Sequence, residues 1–322
     1  MAAYRVLVIA PPNARYLSVL EQLPSETTIT VGDNPEAFTS AAAEADIIVN
    51  GLSKGETLRK IWPAAKRVKW VHSLSAGVES MLFPDLISSD VPVTNARGVF
   101  KESLGEFTIA SILFFAKDLR RMLRNQQAGR WEQFDVDVIY RQSLGVIGYG
   151  ELGQAAARRA KALGMRVNAA RRRPKLSEGD PSVDQWYSIE QRAQLMADSD
   201  YVLCAAALTP ETVGLVGPNE IGAMKTSGVI INIGRGPVID EPALIDALAT
   251  YRMRGAALDG FNTEPLPQDH PFWKMENVLL SPHCADHTST WMNETVEFFV
   301  HNFERYAQGQ PLLNLIDKKA GY

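Results

Sequence analysis

Three short segments in the second half of the 322-residue chain hold the side chains best suited to bind an anion and move a proton. Ile231-Asn232-Ile233-Gly234-Arg235-Gly236 sets an arginine between two glycines directly after an apolar run. That close-packed, exposed setting suits gripping a carboxylate, the plainer reading being a surface arginine in a glycine turn. In the segment from Ala257 to Pro267, two acids, Asp259 and Glu264, stand at the end of an apolar run beside a Glu264-Pro265 turn. Leu279-Leu280-Ser281-Pro282-His283 places a histidine immediately after a proline. Backbone fixes an imidazole there, and a neighbouring carboxylate would tune it for proton transfer near neutrality. All three segments fall where strands are expected to end, and in open parallel sheets the carboxyl edge is where ligands sit.

A fourth segment, Gly148-Tyr149-Gly150-Glu151-Leu152-Gly153, is a weak signal alone, but its context is specific. A buried strand, Leu144 to Ile147, runs into it, an alanine-rich helix follows from Gln154 to Leu163, and a second strand begins at Met165 or Arg166. In such a unit the first glycine permits a tight turn, the second lets backbone approach a pyrophosphate, and the third packs helix on strand. The anion then rests on the helix amino terminus. The residue that chooses the coenzyme lies about 20 positions on, where an acid would bind a ribose 2′-hydroxyl. Here the chain has Arg171-Arg172-Arg173, closing a stretch from Arg158 to Lys175 with eight basic residues and no acid. Such a run is commonly a solvated face. At this position, however, guanidinium groups match a 2′-phosphate, so the sequence predicts NADPH over NADH.

Elements must hold these segments in place, and the composition allows them. At roughly 150 residues per domain the length fits about two domains, and 46% hydrophobic with 22% charged residues is the balance of a soluble globular chain. Cys204 and Cys284 make no repeated Cys/His pattern, so neither a disulfide scaffold nor a metal site is expected, and the thiols suit a reducing compartment. No apolar run approaches the roughly 18 residues a membrane-spanning helix needs. A net charge of −4 argues against a nucleic-acid partner. With no signal peptide in the opening residues, a cytoplasmic protein is expected.

Apolar runs alternate with helical patterns throughout, the signature of βαβ units. The first series has strand candidates at Arg5–Ala10, Thr27–Val31, Ile47–Asn50, Val68–His72 and Val91–Asn95, with a helical stretch at Pro35–Ala45. A single long helix is predicted from Glu102 to Gln127, a spine or subunit interface. A second series of six strands starts at Ser143 and ends at Ser281, and a last amphipathic helix runs from His287 to Gln308. The expectation is two α/β domains with parallel sheets and a cleft between them, the last helix returning to the first domain.

In their order and spacing, Gly148–Gly153, Gly234-Arg235-Gly236, Asp259 with Glu264-Pro265, and Ser281-Pro282-His283 resemble the D-isomer-specific 2-hydroxyacid dehydrogenase family. The likeness extends to Ser75-Ala76-Gly77-Val78-Glu79 and to Gly129-Arg130-Trp131. It implies two Rossmann-like or flavodoxin-like parallel-sheet domains. One is a discontinuous substrate-binding domain of residues 1–98 plus 288–322, the other a coenzyme-binding domain of residues 99–287, with a homodimer formed through the helix around 102–127. Carried over residue by residue, Arg235 binds the substrate carboxylate and carbonyl, His283 gives or takes the proton, and Glu264 holds His283. Gly148, Gly150, Glu151, Leu152, Gly153, Arg171, Arg172, Arg173, Ile233, Gly234, Arg235, Asp259, His283 and Ala285 line the coenzyme, Asp259 at the nicotinamide amide. Backbone amides of Ala76 and Gly77 complete the carboxylate site, with Ser53 or Lys54 at its rim.

The chain departs from the family pattern in places. Arg171 stands where an Asp is common, and Ala285-Asp286-His287 where many relatives have two glycines, so His287 competes for a role, chiefly as a helix cap or rim residue. Glu264, where formate dehydrogenases have glutamine, argues against that activity. Trp291 is either core or a shaper of substrate choice, and His72 structural or on the cleft wall. Because only Pro311 to Tyr322 follow the last helical pattern, the regulatory domain of many phosphoglycerate dehydrogenases is not expected. The resulting expectation is NADPH-dependent reduction of glyoxylate, hydroxypyruvate or an aromatic pyruvate to a D-2-hydroxy acid. The alternative is a dinucleotide-sensing scaffold like the C-terminal-binding-protein corepressors.

Overall fold

The apolar runs of the first hundred residues form β1 (Arg5–Ile9), β2 (Thr28–Gly32), β3 (Ile47–Asn50), β4 (Trp70–Ser73) and β5 (Val93–Asn95), with short helices α1 (Glu56–Ile61) and α2 (Pro84–Ser88) between them. The structure is a computed structural model that describes residues 3–52, 54–177 and 179–322. It divides into two compact units, Met1–Phe100 with Ser289–Tyr322, and Lys101–Thr288. In the first unit the strands are all parallel, in the order β2-β1-β3-β4-β5. The inner strands β1 and β3 are apolar and buried on both faces because both are covered. Leu7 and Ile9 pack with Phe38 and Leu58 on one side, while Val6 and Val8 face the other. The stretch Pro35–Ala45 is not a helix. It makes two single turns, Pro35–Phe38 and Ala42–Glu44, separated where the Thr39 hydroxyl donates to the Glu36 carbonyl at 2.9 Å and competes with a continuing backbone ladder.

The second unit opens with two helices where the sequence predicts one. Lys101–Ala116 is α3 and Leu119–Gln127 is α4. The break is Asp118, whose φ of +48° ends the first helix and whose carboxylate caps the second by accepting from the Arg121 N–H at 3.3 Å. Then follow β6 (Ser143–Ile147), α5 (Glu151–Ala162), β7 (Arg166–Ala170), β8 (Gln185–Tyr187), α6 (Arg192–Ala197), β9 (Tyr201–Cys204), α7 (Pro218–Ala223), β10 (Val229–Asn232), α8 (Glu241–Ala249), β11 (Gly255–Leu258) and β12 (Val278–Leu280). These strands make one parallel sheet of seven, in the order β12-β11-β10-β9-β6-β7-β8, one strand more than the six expected. The order reverses between β6 and β9, the switch point at which doubly wound sheets bind ligands.

The chain then returns to the first unit in α9 (Trp291–Ala307), four residues later than expected. Val296, Phe299, Val300 and Phe303 bury against Val6, Val8, Val49 and Trp70, closing the second face of the first sheet. The tail is tied down by Asn302, whose amide both donates to the Leu313 carbonyl at 3.2 Å and accepts from the Leu313 N–H at 2.9 Å. Ile316 N–H then bonds the Val93 carbonyl at 2.8 Å. No helix among the described residues is long and apolar enough to cross a membrane.

Candidate active site

Strand ends β10, β11 and β12 are neighbours in the second sheet, so their following turns share its carboxyl edge. His283 sits in the turn after β12, and its Nδ1 lies 2.8 Å from Glu264 Oε2. The other carboxylate oxygen, Oε1, accepts from the Phe261 N–H at 2.9 Å, so both oxygens of Glu264 are committed and its orientation is fixed. A carboxylate only accepts, which puts a proton on Nδ1 and leaves Nε2 as the nitrogen that exchanges one. Both side chains are about one-third exposed, at 37% and 36%. That degree of exposure leaves the ring able to meet a small molecule.

The Arg235 turn is built by its neighbours. Asn232, buried at the end of β10, accepts from the Gly234 N–H at 3.0 Å and donates to the Arg235 carbonyl at 3.2 Å. A Cβ on Gly236 would lie 2.1 Å from the Phe261 carbonyl carbon, so only glycine lets this turn press against the chain leading to Glu264. The Asp259 carboxylate is 3% exposed. Its Oδ1 accepts from Ser281 Oγ at 2.5 Å and from the N–H groups of Cys284 and Ala285 at 3.0 Å each. Asn232 and Ser281 stand within the sequence motifs, which assign them no role. Their signal is a polar residue closing an apolar strand immediately before a functional turn.

Asp286 is largely buried, its Oδ1 has no hydrogen-bond partner among the described residues, and His287 Nε2 is 3.7 Å away. Burial raises the Asp286 pKa, opposed by the charges of His287 and His283 and helped by that of Asp259. Since α9 starts only at Trp291, His287 is not a helix cap. The exposed Cys284 thiol is 3.7 Å from Ser281 Oγ.

The glycine segment has the form of a nucleotide cradle. Gly148 takes φ +94°, and a Cβ there would lie 2.5 Å from Ala206 N, while one on Gly153 would lie 2.7 Å from the Gly148 carbonyl oxygen. At Gly150 a Cβ would meet nothing within 4 Å, and no side chain caps the start of α5. Open space over the amino terminus of α5 fits the pyrophosphate of a dinucleotide. Beyond β7, Arg171 Nη1 bonds Ser177 Oγ, and burial followed by the charge of Arg173 pulls the Arg171 pKa down. Arg172 and Arg173 are exposed, Arg172 being 3.7 Å from Glu211. Tyr149 hydroxyl donates to Asp180 at 2.9 Å, tethering the loop that follows the arginines.

In the first unit, Asn95 Nδ2 donates to the Ala76 carbonyl at 2.5 Å and the Ala96 N–H to the Ser75 carbonyl at 3.2 Å, fixing the Ala76-Gly77 loop at the carboxyl edge. Ser53 lies outside the described residues, and Lys54 is exposed. His72 is fully buried, and Trp291 packs its ring 6.2 Å from Phe100. Among the described residues no group of three or more metal-ligating side chains converges.

Residues 109–285 match the family model described as D-isomer specific 2-hydroxyacid dehydrogenase, NAD binding domain. The chain is 30% identical to a glyoxylate reductase of Korarchaeum cryptofilum over 81% of its own length and 79% of the relative's. It is 32% identical to a hydroxyphenylpyruvate reductase of Plectranthus scutellarioides over 86% and 87% of the two chains. The crystal structure of a D-isomer specific 2-hydroxyacid dehydrogenase from Xanthobacter autotrophicus Py2, in complex with NADPH and MES, is 28% identical. It superposes with a TM-score of 0.87 over the whole of both chains. A doubly wound sheet with a glycine cradle at its switch point, an oriented Glu-His pair at its carboxyl edge and this likeness agree, and the chain belongs to the D-isomer specific 2-hydroxyacid dehydrogenase family of oxidoreductases.

Proposed function

We propose that the protein reduces a small 2-keto acid to the D-2-hydroxy acid with NADPH, glyoxylate, hydroxypyruvate and aromatic pyruvates being the substrates to test. The observation that carries this reading is the 2.8 Å contact between Glu264 Oε2 and His283 Nδ1. In this reading NADPH, when bound, supplies the hydride. Arg235 binds the substrate carboxylate and the carbonyl oxygen through its guanidinium. As negative charge grows on that oxygen, Arg235 and the imidazolium of His283 stabilise it, and the Nε2 proton passes to it, completing the hydroxyl. Glu264 holds the ring through Nδ1 and offsets the imidazolium charge before the transfer. Ala76 and Gly77 contribute backbone N–H groups to the carboxylate, with Lys54 at its rim.

Gly148, Gly150, Glu151, Leu152 and Gly153 hold the pyrophosphate, with Ile233, Gly234, Asp259 and Ala285 along the nicotinamide side. Arg171, Arg172 and Arg173 take the 2′-phosphate. The unit Lys101–Thr288 is the coenzyme-binding domain, and the unit Met1–Phe100 with Ser289–Tyr322 the substrate-binding domain. A homodimer in the cytoplasm completes the reading. α3 packs on α5 within the unit, whereas Met122, Leu123, Trp131 at 95% exposure, Val138 and Tyr140 lie bare on α4 and the chain after it, the apolar surface a second copy would cover.

The test is nicotinamide oxidation by the purified protein with glyoxylate, hydroxypyruvate and phenylpyruvate in turn. Turnover of at least one is expected, and turnover of none contradicts the proposal.

A further inference from the structure

The backbone that carries His283 is in a conformation it would not choose. Its φ is +52°, a left-handed geometry that is costly for a residue with a Cβ and persists only where the surroundings over-determine it. The surroundings here can be traced bond by bond. Pro282 fixes one dihedral, and the His283 N–H folds back onto the Ser281 carbonyl at 2.9 Å. The next two N–H groups, of Cys284 and Ala285, converge on one oxygen, Asp259 Oδ1, as successive amides do around an anion. That same oxygen takes the Ser281 hydroxyl at 2.5 Å. Ser281 and Asp259 are both buried, and they end adjacent strands: the Ser281 N–H bonds the Leu258 carbonyl at 2.9 Å, and the Asp259 N–H the Asn232 carbonyl at 3.0 Å. At the far side of the turn, Ser103 Oγ holds the Ala285 carbonyl at 2.7 Å.

We infer that Ser281 and Asp259 form a clamp that holds the His283 turn in its left-handed form, making Ser281 a positioning residue for the proton transfer and giving Asp259 a role through the backbone beyond any coenzyme contact. The inference rests on the reading of His283 as proton donor. One carboxylate oxygen with three donors ties the amino and carboxyl sides of the histidine turn to β11. Removing the hydroxyl frees the amino side alone and touches neither the glycine cradle nor the arginines.

The test compares Ser281→Ala with Ser281→Thr, which keeps the hydroxyl. Ser281→Ala is expected to lower kcat about tenfold or more, with the NADPH dissociation constant and the KM for the keto acid within about twofold of wild type. Ser281→Thr restores most of kcat. A second readout needs no turnover: the Nδ1 proton of His283, hydrogen-bonded to Glu264, gives a downfield NMR resonance expected in wild type and Ser281→Thr and weakened in Ser281→Ala. A Ser281→Ala enzyme with kcat within twofold of wild type and an unchanged resonance overturns the clamp. Loss of kcat matched by equal weakening of NADPH binding also overturns it, since the hydroxyl would then be acting on the coenzyme. Absence of turnover in the wild type refutes the proposed reaction instead, while the resonance still judges the clamp.

Discussion

Arg171, Arg172 and Arg173 follow β7, where the sequence predicts the 2′-phosphate of NADPH. A guanidinium cannot lose its charge and offers paired donors to a phosphate, so replacing all three by alanine should weaken NADPH binding about 10- to 100-fold. NADH binding should stay nearly unchanged, as a fluorescence titration of both coenzymes will show. Equal weakening of both would mean that the arginines hold the loop and not the 2′-phosphate. The candidate site residues stand out in the sequence because each sits beside a residue with an unambiguous backbone signature: Gly234 and Gly236 around Arg235, Pro265 after Glu264, Pro282 before His283. Their supports were not legible. Asn232 and Ser281 look like ordinary strand ends, and only the folded sheet shows that their amide and hydroxyl reach the turns from neighbouring strands.

At the scale of elements, strands with continuous apolar runs were readable because burial on both faces leaves no polar alternation to confuse them. β8 escaped notice for the opposite reason. Gln185, Trp186 and Tyr187 make three residues at the sheet edge, with Gln185 exposed and only Tyr187 buried. The long helix failed at a point with no glycine or proline to mark it. Asp118 takes a left-handed backbone, and apolar periodicity continues across the break through Leu119 and Leu123 because those residues are bare on α4 and not part of the same buried stripe. The start of α9 lies later because periodicity sees Met292 and Val296 and cannot see that the N–H groups of His287 and Thr288 turn back to the carbonyls of Cys284 and Asp286. In each case the missing information is tertiary. A pattern that identifies which residues are apolar does not say which neighbour they bury against.

On the scale of the whole molecule, the first unit carries an acid sensitivity that follows from one buried imidazole. His72 is fully buried, with Nδ1 2.7 Å from Thr94 Oγ1, Nε2 without a partner among the described residues, and the rings of Trp70, Phe298 and Phe299 around it. Burial lowers its pKa from 6.5 to about 3. The folded chain therefore refuses a proton that the unfolded chain accepts, and stability present above pH 6.5 is lost as the pH falls toward 3, at up to about 1.4 kcal/mol per pH unit. Urea unfolding between neutral pH and pH 4 should show that slope in the wild type and a shallower one in His72→Phe; identical slopes would remove His72 from the account. The proposed reaction turns on the oriented pair Glu264 and His283. Its most direct test is steady-state reduction of the preferred keto acid by His283→Ala beside the wild type, with coenzyme binding measured on the same samples. The expected result is a fall in kcat of about 10²- to 10⁴-fold with NADPH binding nearly unchanged; a variant that turns over at the wild-type rate would rule out His283 as the proton donor.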